Sequence, residues 1–444
     1  MNRLTVFTNG TVVTHDSACP LIKGGAAVVD GDKIAACGAA EDLKRQYDFA
    51  SAHIVDAKGG LIMPGFINAH EHIYSAMARG MAVDMPPRAD LLTILKRLWW
   101  KLDAALTNDL TYKSAMLVYL ECVKNGVTAV IDHHASYGEI DGSLSSIAMA
   151  AEQFNIRSCL CYEVSDRMGK DAAKKAVLEN ERFSSEAKHS EFLDGMMGLH
   201  ASFTLSDATL ALAAEHAGGA GFHVHVAEGG IDEADCMEKH GMPIIERFDK
   251  FGILGQKSLM AHCIHIGGTE MELLAQTNTP AVFNPESNMN NAAGYPPVLP
   301  MMKHGVTVGL GTDAYTHDML ESLKAAALLN KHELHDTTAG FKEVPQMLFA
   351  CNREILNRHF STPTGILKAG AAADIIVVDY HAPTPLTKGN IYSHILFGMS
   401  GRDVTATMAG GRLLMENREL RGIDAEKITA DCVKGSEQLW HRMA

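Results

Sequence analysis

Much is missing from this 444-residue chain. Its nine cysteines include no CxxC pair. Their scatter through apolar segments reads as reduced, buried thiols in a cytosolic protein. No apolar run approaches the roughly 18–20 residues that span a bilayer, so no membrane partner is expected. The first residues, MNRLTVFTNGTVV, show no basic segment leading into an apolar core. A signal peptide is therefore not expected, and the expected location is cytoplasmic. Positive charge is scarce: 39 Lys and Arg against 53 Asp and Glu give a net charge of −14. That balance argues against electrostatic binding to nucleic acid or acidic lipid. What remains is an ordinary globular composition, 47% hydrophobic and 21% charged. The length suits one large unit plus a smaller one, or two to three units.

The pattern along the chain divides it. Residues 1–60 alternate apolar and polar positions around Gly and Asp turns, as in AAVVDGDKIAACG. This predicts short antiparallel strands. Residues 370–415 repeat the style, and the VDGDK and AGGR segments read as hairpin turns. Between these ends, short apolar strands alternate with helical stretches, the signature of βα units and a parallel sheet. Eight strands are predicted, at 61–67, 126–132, 157–163, 195–200, 221–227, 257–262, 279–284 and 306–311. Helices are predicted over 109–124, 143–154, 207–216, 317–331 and 344–357. The expected fold is α/β: a (β/α)8 TIM-like barrel over 61–364. A smaller β-sandwich domain, built from 1–60 plus 365–444 with a C-terminal helix, completes it. Residues 80–98 form a long insertion after the first strand, placed where a lid would lie.

Four of the apolar runs stop at groups that bind metal. His70-Glu71-His72 ends the first, His223 and His225 lie in the fifth with Glu228 after them, His262 ends the sixth, and Asp313 follows the eighth. Strand residues i and i+2 share a face, so each His-x-His pair can aim both rings inward while Glu71 points away. A single such pair is weak evidence among 22 histidines. The combination is strong, because the carboxyl ends of barrel strands form one face. Neutral imidazoles with a carboxylate suit Zn²⁺ or Fe²⁺.

The segments PGFINAHEH, VHVAE, MAHCIHI, NPESN and GLGTDA resemble the amidohydrolase superfamily, in its cytosine/guanine deaminase and chlorohydrolase branch. LWWKLDAAL, VIDHHAS, YEVSDR, ESNMNNAAGY and HILFGMS carry a narrower resemblance to SsnA-type aminohydrolases. The resemblance implies that His70, His72, His225 and Asp313 are the metal ligands. It implies that Glu228 shuttles a proton, with His262 beside the attacking water or the substrate. His223 is read as supporting the ligands rather than joining them. Binuclear members carry a lysine at the fourth strand, but here that strand reads GMMGLHASF and ends in His200. One divalent ion per chain is therefore expected, zinc ahead of iron. A homodimer is the family expectation.

The implied reaction is hydrolytic deamination of a nitrogen heterocycle of purine, pyrimidine, pterin or triazine type. Asp313 would take a proton from the metal-activated water, and Glu228 would protonate a ring nitrogen and then the leaving ammonia. His262 would hold the developing oxygen. His200, Arg167, Tyr74, Arg79 and Asn288 are the candidate substrate contacts. For Arg167 a bidentate grip on substrate and a salt bridge to Glu163 or Asp166 are both open. Trp99 and Trp100 are expected to pack against the barrel, with stacking on a ring as the alternative. The competing readings are ring-opening of a cyclic amide, dehalogenation at the same site, and a non-catalytic barrel.

Overall fold

A computed structural model describes residues 4–443. The alternating N-terminal segments form Thr5–Val13, Leu21–Asp30 and Lys33–Ala39, paired antiparallel in that order. The predicted VDGDK turn joins the last two through Gly31. Strand Leu61–Pro64 lies between the termini. It pairs parallel with Thr5–Val13 and antiparallel with Ile375–Val378. Val404–Ala409, Arg412–Glu416 and Glu419–Leu420 extend the same nine-stranded sheet. At the AGGR turn Gly410 and Gly411 both take positive φ, as a tight hairpin requires. Strand alternation puts Phe7, Ile62 and Ile375 in one buried cluster and Val6, Ala26 and Val28 in another. Both ends of the chain therefore build the second, smaller unit.

The predicted strand 61–67 divides at Gly65. Before it the chain belongs to the terminal sheet; after it, Phe66–Glu71 opens the barrel. Only glycine fits there, since a Cβ would lie 2.2 Å from Thr128 Oγ1. Parallel strands Val127–Asp132, Arg157–Leu160, Leu193–Gly195 with Met197–Ala201, Phe222–Val226, Leu259–His262, Ala281–Phe283 and Val308–Leu310 follow. The fourth strand is broken at Met196: its first part pairs with the third strand and its second with the fifth. A parallel bridge between Glu71 and Asp313 closes the eighth strand on the first. Helices 143–154 and 207–216 lie where the sequence predicts them, and Asn108–Asn125 is capped by Thr107 and ended by left-handed Gly126. The predicted helix over 344–357 contains a π turn at Met347–Cys351. A buried ion pair, Arg157 to Asp374 at 2.6 Å, ties the barrel to the terminal sheet.

Candidate metal centre and active site

The fifth strand shows how the sequence aims its side chains. Phe222, Val224 and Val226 face the outer core, so His223 and His225 face the barrel axis. The His225 Nδ1–H is directed at the His200 carbonyl, 2.9 Å away. The His72 Nδ1–H is directed at the His133 carbonyl, 2.6 Å away. His70 Nδ1 pairs with His223 Nε2 at 2.8 Å. With each Nδ1 engaged behind the ring, three Nε2 atoms turn to one point. His72 Nε2 and His225 Nε2 stand 3.1 Å apart. Asp313 Oδ1 is 3.0 Å from His72 Nε2 and 3.7 Å from His70 Nε2. His70 Nε2 is buried with no hydrogen-bond partner. Among the described residues, His70, His72 and His225 form one metal-competent group, and His70, His262 and Asp313 another. Lone pairs crowded against a buried carboxylate fit a cation at their centre, and the donor set is one that zinc accepts. Glu71 points away, as expected: its carboxylate accepts from Asn68, Thr312 and the His317 ring on the far side of the strand.

Three further groups reach this point by a different route. Met260 faces the outer core, so alternation would send His262 outward too. His262 instead takes φ +71°, and the left-handed turn swings its ring into the mouth. Ala227 at φ +47° does the same for Glu228, and Asp313 itself sits at φ +57°. Asn288 Oδ1 accepts from His262 Nδ1 at 2.9 Å, which fixes the ring. His262 Nε2 then faces Glu228 Oε2 at 3.7 Å and Asp313 Oδ2 at 3.6 Å. Burial raises the Glu228 carboxyl above its ordinary range; His262 opposes that and the Asp313 charge adds to it. Burial also acts to raise Asp313, but the hydrogen bond and charge of His72, with His262, hold it well below the usual carboxylate range.

These groups line one wall of a cleft. Tyr74, Arg167 and His200 line it as well. His200 Nδ1 is held by Thr204 Oγ1 at 2.8 Å. Arg167 spends its terminal nitrogens on Glu163 and Asp103, so the salt-bridge alternative describes it. Two expected contacts are corrected. Arg79 turns outward into a two-pronged ion pair with Glu121, at 2.7 and 2.9 Å, and does not reach the cleft. Asn288 is fully buried behind His262 and positions that ring instead of facing the cleft. Trp99 and Trp100 both line the cleft, and Trp99 also packs on the cluster around Tyr74 and Met77. Leu91 and Leu95, from the long insertion, roof the same space. Sequence reasoning missed Asp103, Asn290, Asn291 and Tyr315. The signal for Asp103 was a lone acid in the apolar helix Trp100–Ala105.

A family model described as the amidohydrolase family matches residues 61–414. A 5'-deoxyadenosine deaminase of Methanosarcina mazei is 30% identical over 447 residues, 99% of each chain. A 5-methylthioadenosine/S-adenosylhomocysteine deaminase of Thermococcus sibiricus is 33% identical over 421 residues, 92% of this chain and 93% of that one. Among solved structures, a zinc-bound adenosine deaminase from Xanthomonas campestris superposes with a TM-score of 0.87. It shares 22% identity over 98% of both chains. Zinc-bound atrazine chlorohydrolase from Arthrobacter aurescens superposes with a TM-score of 0.81 at 21% identity, over 97% of this chain and 100% of that one. These likenesses extend the same barrel fold to this chain. No helix among the described residues is long and apolar enough to cross a membrane.

Proposed function

The chain belongs to the amidohydrolase family, and from that membership we propose a metal-dependent aminohydrolase that releases ammonia from a purine-type amino-heterocycle. The observation that carries this reading is the facing of Glu228 and His262 across the metal-competent cluster, 3.7 Å apart. The full-length likeness to deaminases of adenosine derivatives supports the substrate type. His70, His72, His225 and Asp313 would hold one ion, zinc before iron, since among the described residues no lysine lines the cleft to bridge a second. When bound, the ion supplies acidification of a water and polarisation of the attacked carbon.

The residues supply the rest. Asp313, held ionised beside His72 and His262, accepts the proton of the attacking water. Glu228, whose burial favours its protonated form, donates to the ring nitrogen as the tetrahedral carbon forms. The proton held by Asp313 then passes to the amine, which leaves as ammonia, and Glu228 takes up the hydroxyl proton of the tetrahedral carbon as the carbonyl forms. His262, fixed by Asn288, hydrogen-bonds the new oxygen. Tyr74 and His200 border the ring, and Trp99, Leu91 and Leu95 exclude bulk water above it. The nine cysteines stand unpaired, which supports a reducing, cytoplasmic setting. The partner is a small heterocycle; the charge of −14 disfavours nucleic acid. The reading is tested by coupled ammonia detection with the zinc-loaded protein on a panel of amino-heterocycles, cyclic amides and haloheterocycles. Release of ammonia from an aminopurine-type compound is expected. Halide release or ring opening without ammonia would overturn it.

A further inference from the structure

A second group of metal-competent side chains lies at the floor of the barrel, the end of the strands opposite the mouth. Cys159, Asp194 and His359 each offer one ligand atom, and these three atoms lie within 4.8 Å of one another. The strands aim two of them. On Arg157–Leu160, Ser158 meets Tyr119 and Leu160 joins the outer core, so Cys159 points into the barrel beside Ile67, Ala129 and Leu259. Asp194 is its register partner on Leu193–Gly195. A Cβ on the next residue, Gly195, would meet Ser184 of the outer helix Lys170–Ala187, so Asp194 faces inward as well. His359 follows helix Asn352–Leu356 and closes on them, its Nδ1 3.0 Å from Asp194 Oδ2. Cys159 is fully buried; the His359 side chain is 2% exposed and that of Asp194 23%.

A histidine–aspartate pair alone is an ordinary ion pair. The thiol beside it changes what the group can do. Thiolate, imidazole and carboxylate are the donor types that zinc takes. A thiolate in the set disfavours Mg²⁺ and Ca²⁺, which prefer oxygen. Cys159 as thiolate and Asp194 as carboxylate carry the two negative charges that balance a divalent ion, as an apolar surround demands. Donors about 2.0–2.3 Å from one ion stand roughly 3–4 Å apart in a tetrahedron. The His359–Asp194 pair already stands so, and the thiol has at most about 1–2 Å to close. The partial exposure of Asp194 leaves water a path to a fourth position.

We propose that Cys159, Asp194 and His359 form a second divalent-metal site, separate from the mouth, that staples the barrel floor. The segment it secures is weakly held. Among the described residues, Leu193–Gly195 pairs with the third strand alone, because the fourth strand breaks at Met196. An ion here ties that short strand to the third strand and to the chain 165 positions further on. Its effect is on stability, which rises with the metal supplied, as for any ligand of the folded state. The mouth fills first: it offers four protein ligands against three, and the Cys159 thiol must give up a proton to bind.

The test uses Co²⁺ as the probe, on full-length enzyme already carrying one equivalent of zinc. Cobalt bound to a thiolate absorbs in the near ultraviolet through sulfur-to-metal charge transfer; cobalt held by imidazole and carboxylate alone does not. His70, His72, His225 and Asp313 carry no sulfur, so cobalt exchanging into the mouth is silent in that band. Wild type should take up one cobalt per chain with the band, and its melting temperature should rise. C159A should lose both the band and the rise while keeping its zinc. D194N and H359A should each weaken cobalt binding at least about tenfold, and C161A should keep the band. Circular dichroism checks each fold; should C159A unfold, the wild-type band and the D194N and H359A titrations decide. No band in wild type at excess cobalt, a band that survives in C159A, or an unchanged cobalt affinity in both D194N and H359A would each overturn the proposal.

Discussion

The two ends of the barrel are built from the same eight strands and obey opposite rules. At the floor, Ile67, Ala129, Ile131, Leu259, Val282 and Phe360 close into a buried apolar cluster. At the mouth, His70, His72, His225, His262 and Asp313 are buried just as deeply, with ring centroids of the histidines 4.9–5.7 Å apart. The floor gains free energy from each buried side chain. The mouth pays for polarity with desolvation and with left-handed backbone at Ala227, His262 and Asp313. Each such non-glycine position costs on the order of 1–3 kcal/mol and persists only where packing over-determines it. Stability and chemistry are therefore separable along one strand: Leu259 serves the first and His262, three residues on, serves the second.

That separation can be broken in a graded way. The largest effect is expected at the ion site. His225→Ala should lose bound metal and at least about 10⁴ in turnover while the circular dichroism spectrum stays native, because the ligand contributes nothing to the floor. Metal analysis with far-ultraviolet spectra checks it; an unfolded variant would show that mouth and floor are not separable. Next is Glu228→Gln. It keeps size and hydrogen bonding, so metal and substrate binding should persist while turnover falls by roughly 10²–10⁴. Turnover within threefold of wild type at full metal content would remove Glu228 from the proton path.

The converse change belongs to the floor. Leu259→Ala should cost about 2–5 kcal/mol in denaturant unfolding, with metal content and turnover at low temperature near wild type. The smallest effect concerns pH. Burial, with the charges of Glu321 and Asp318 and against the Ser322 hydroxyl, raises Glu286 to about 7. A carboxyl raised from 4.5 binds more protons folded than unfolded, so its stability contribution falls as pH rises from about 4.5 to 7. Glu286→Gln should relieve up to about 3 kcal/mol above pH 7 and nothing below pH 4.5. Unfolding curves at pH 4.5 and 8 check the sign; an equal effect at both would contradict it.

The same contrast explains what could be read from the chain. His70, His72, His223 and His225 were legible because period-2 alternation aims them, and Glu71 was legible by the same rule. The strand ends at His262 and Asp313 were legible, but their orientation came from positive φ at residues that are not glycine, which composition does not announce. The division at Gly65 was hidden because Leu61–Pro64 and Phe66–Glu71 are both apolar and serve different sheets. Arg79 was misassigned because its partner Glu121 lies 42 positions away. For Arg167 the partner four residues off, Glu163, was legible as an alternative, while Asp103, 64 positions away, was not.

The central claim is a single-ion hydrolytic centre held by His70, His72, His225 and Asp313. The most direct measurement is a zinc titration of chelator-stripped enzyme, following ammonia release against equivalents added. The account predicts no activity without metal, a linear rise, and a plateau at one equivalent per chain. Full activity in the stripped enzyme, or a plateau only at two equivalents, would contradict it.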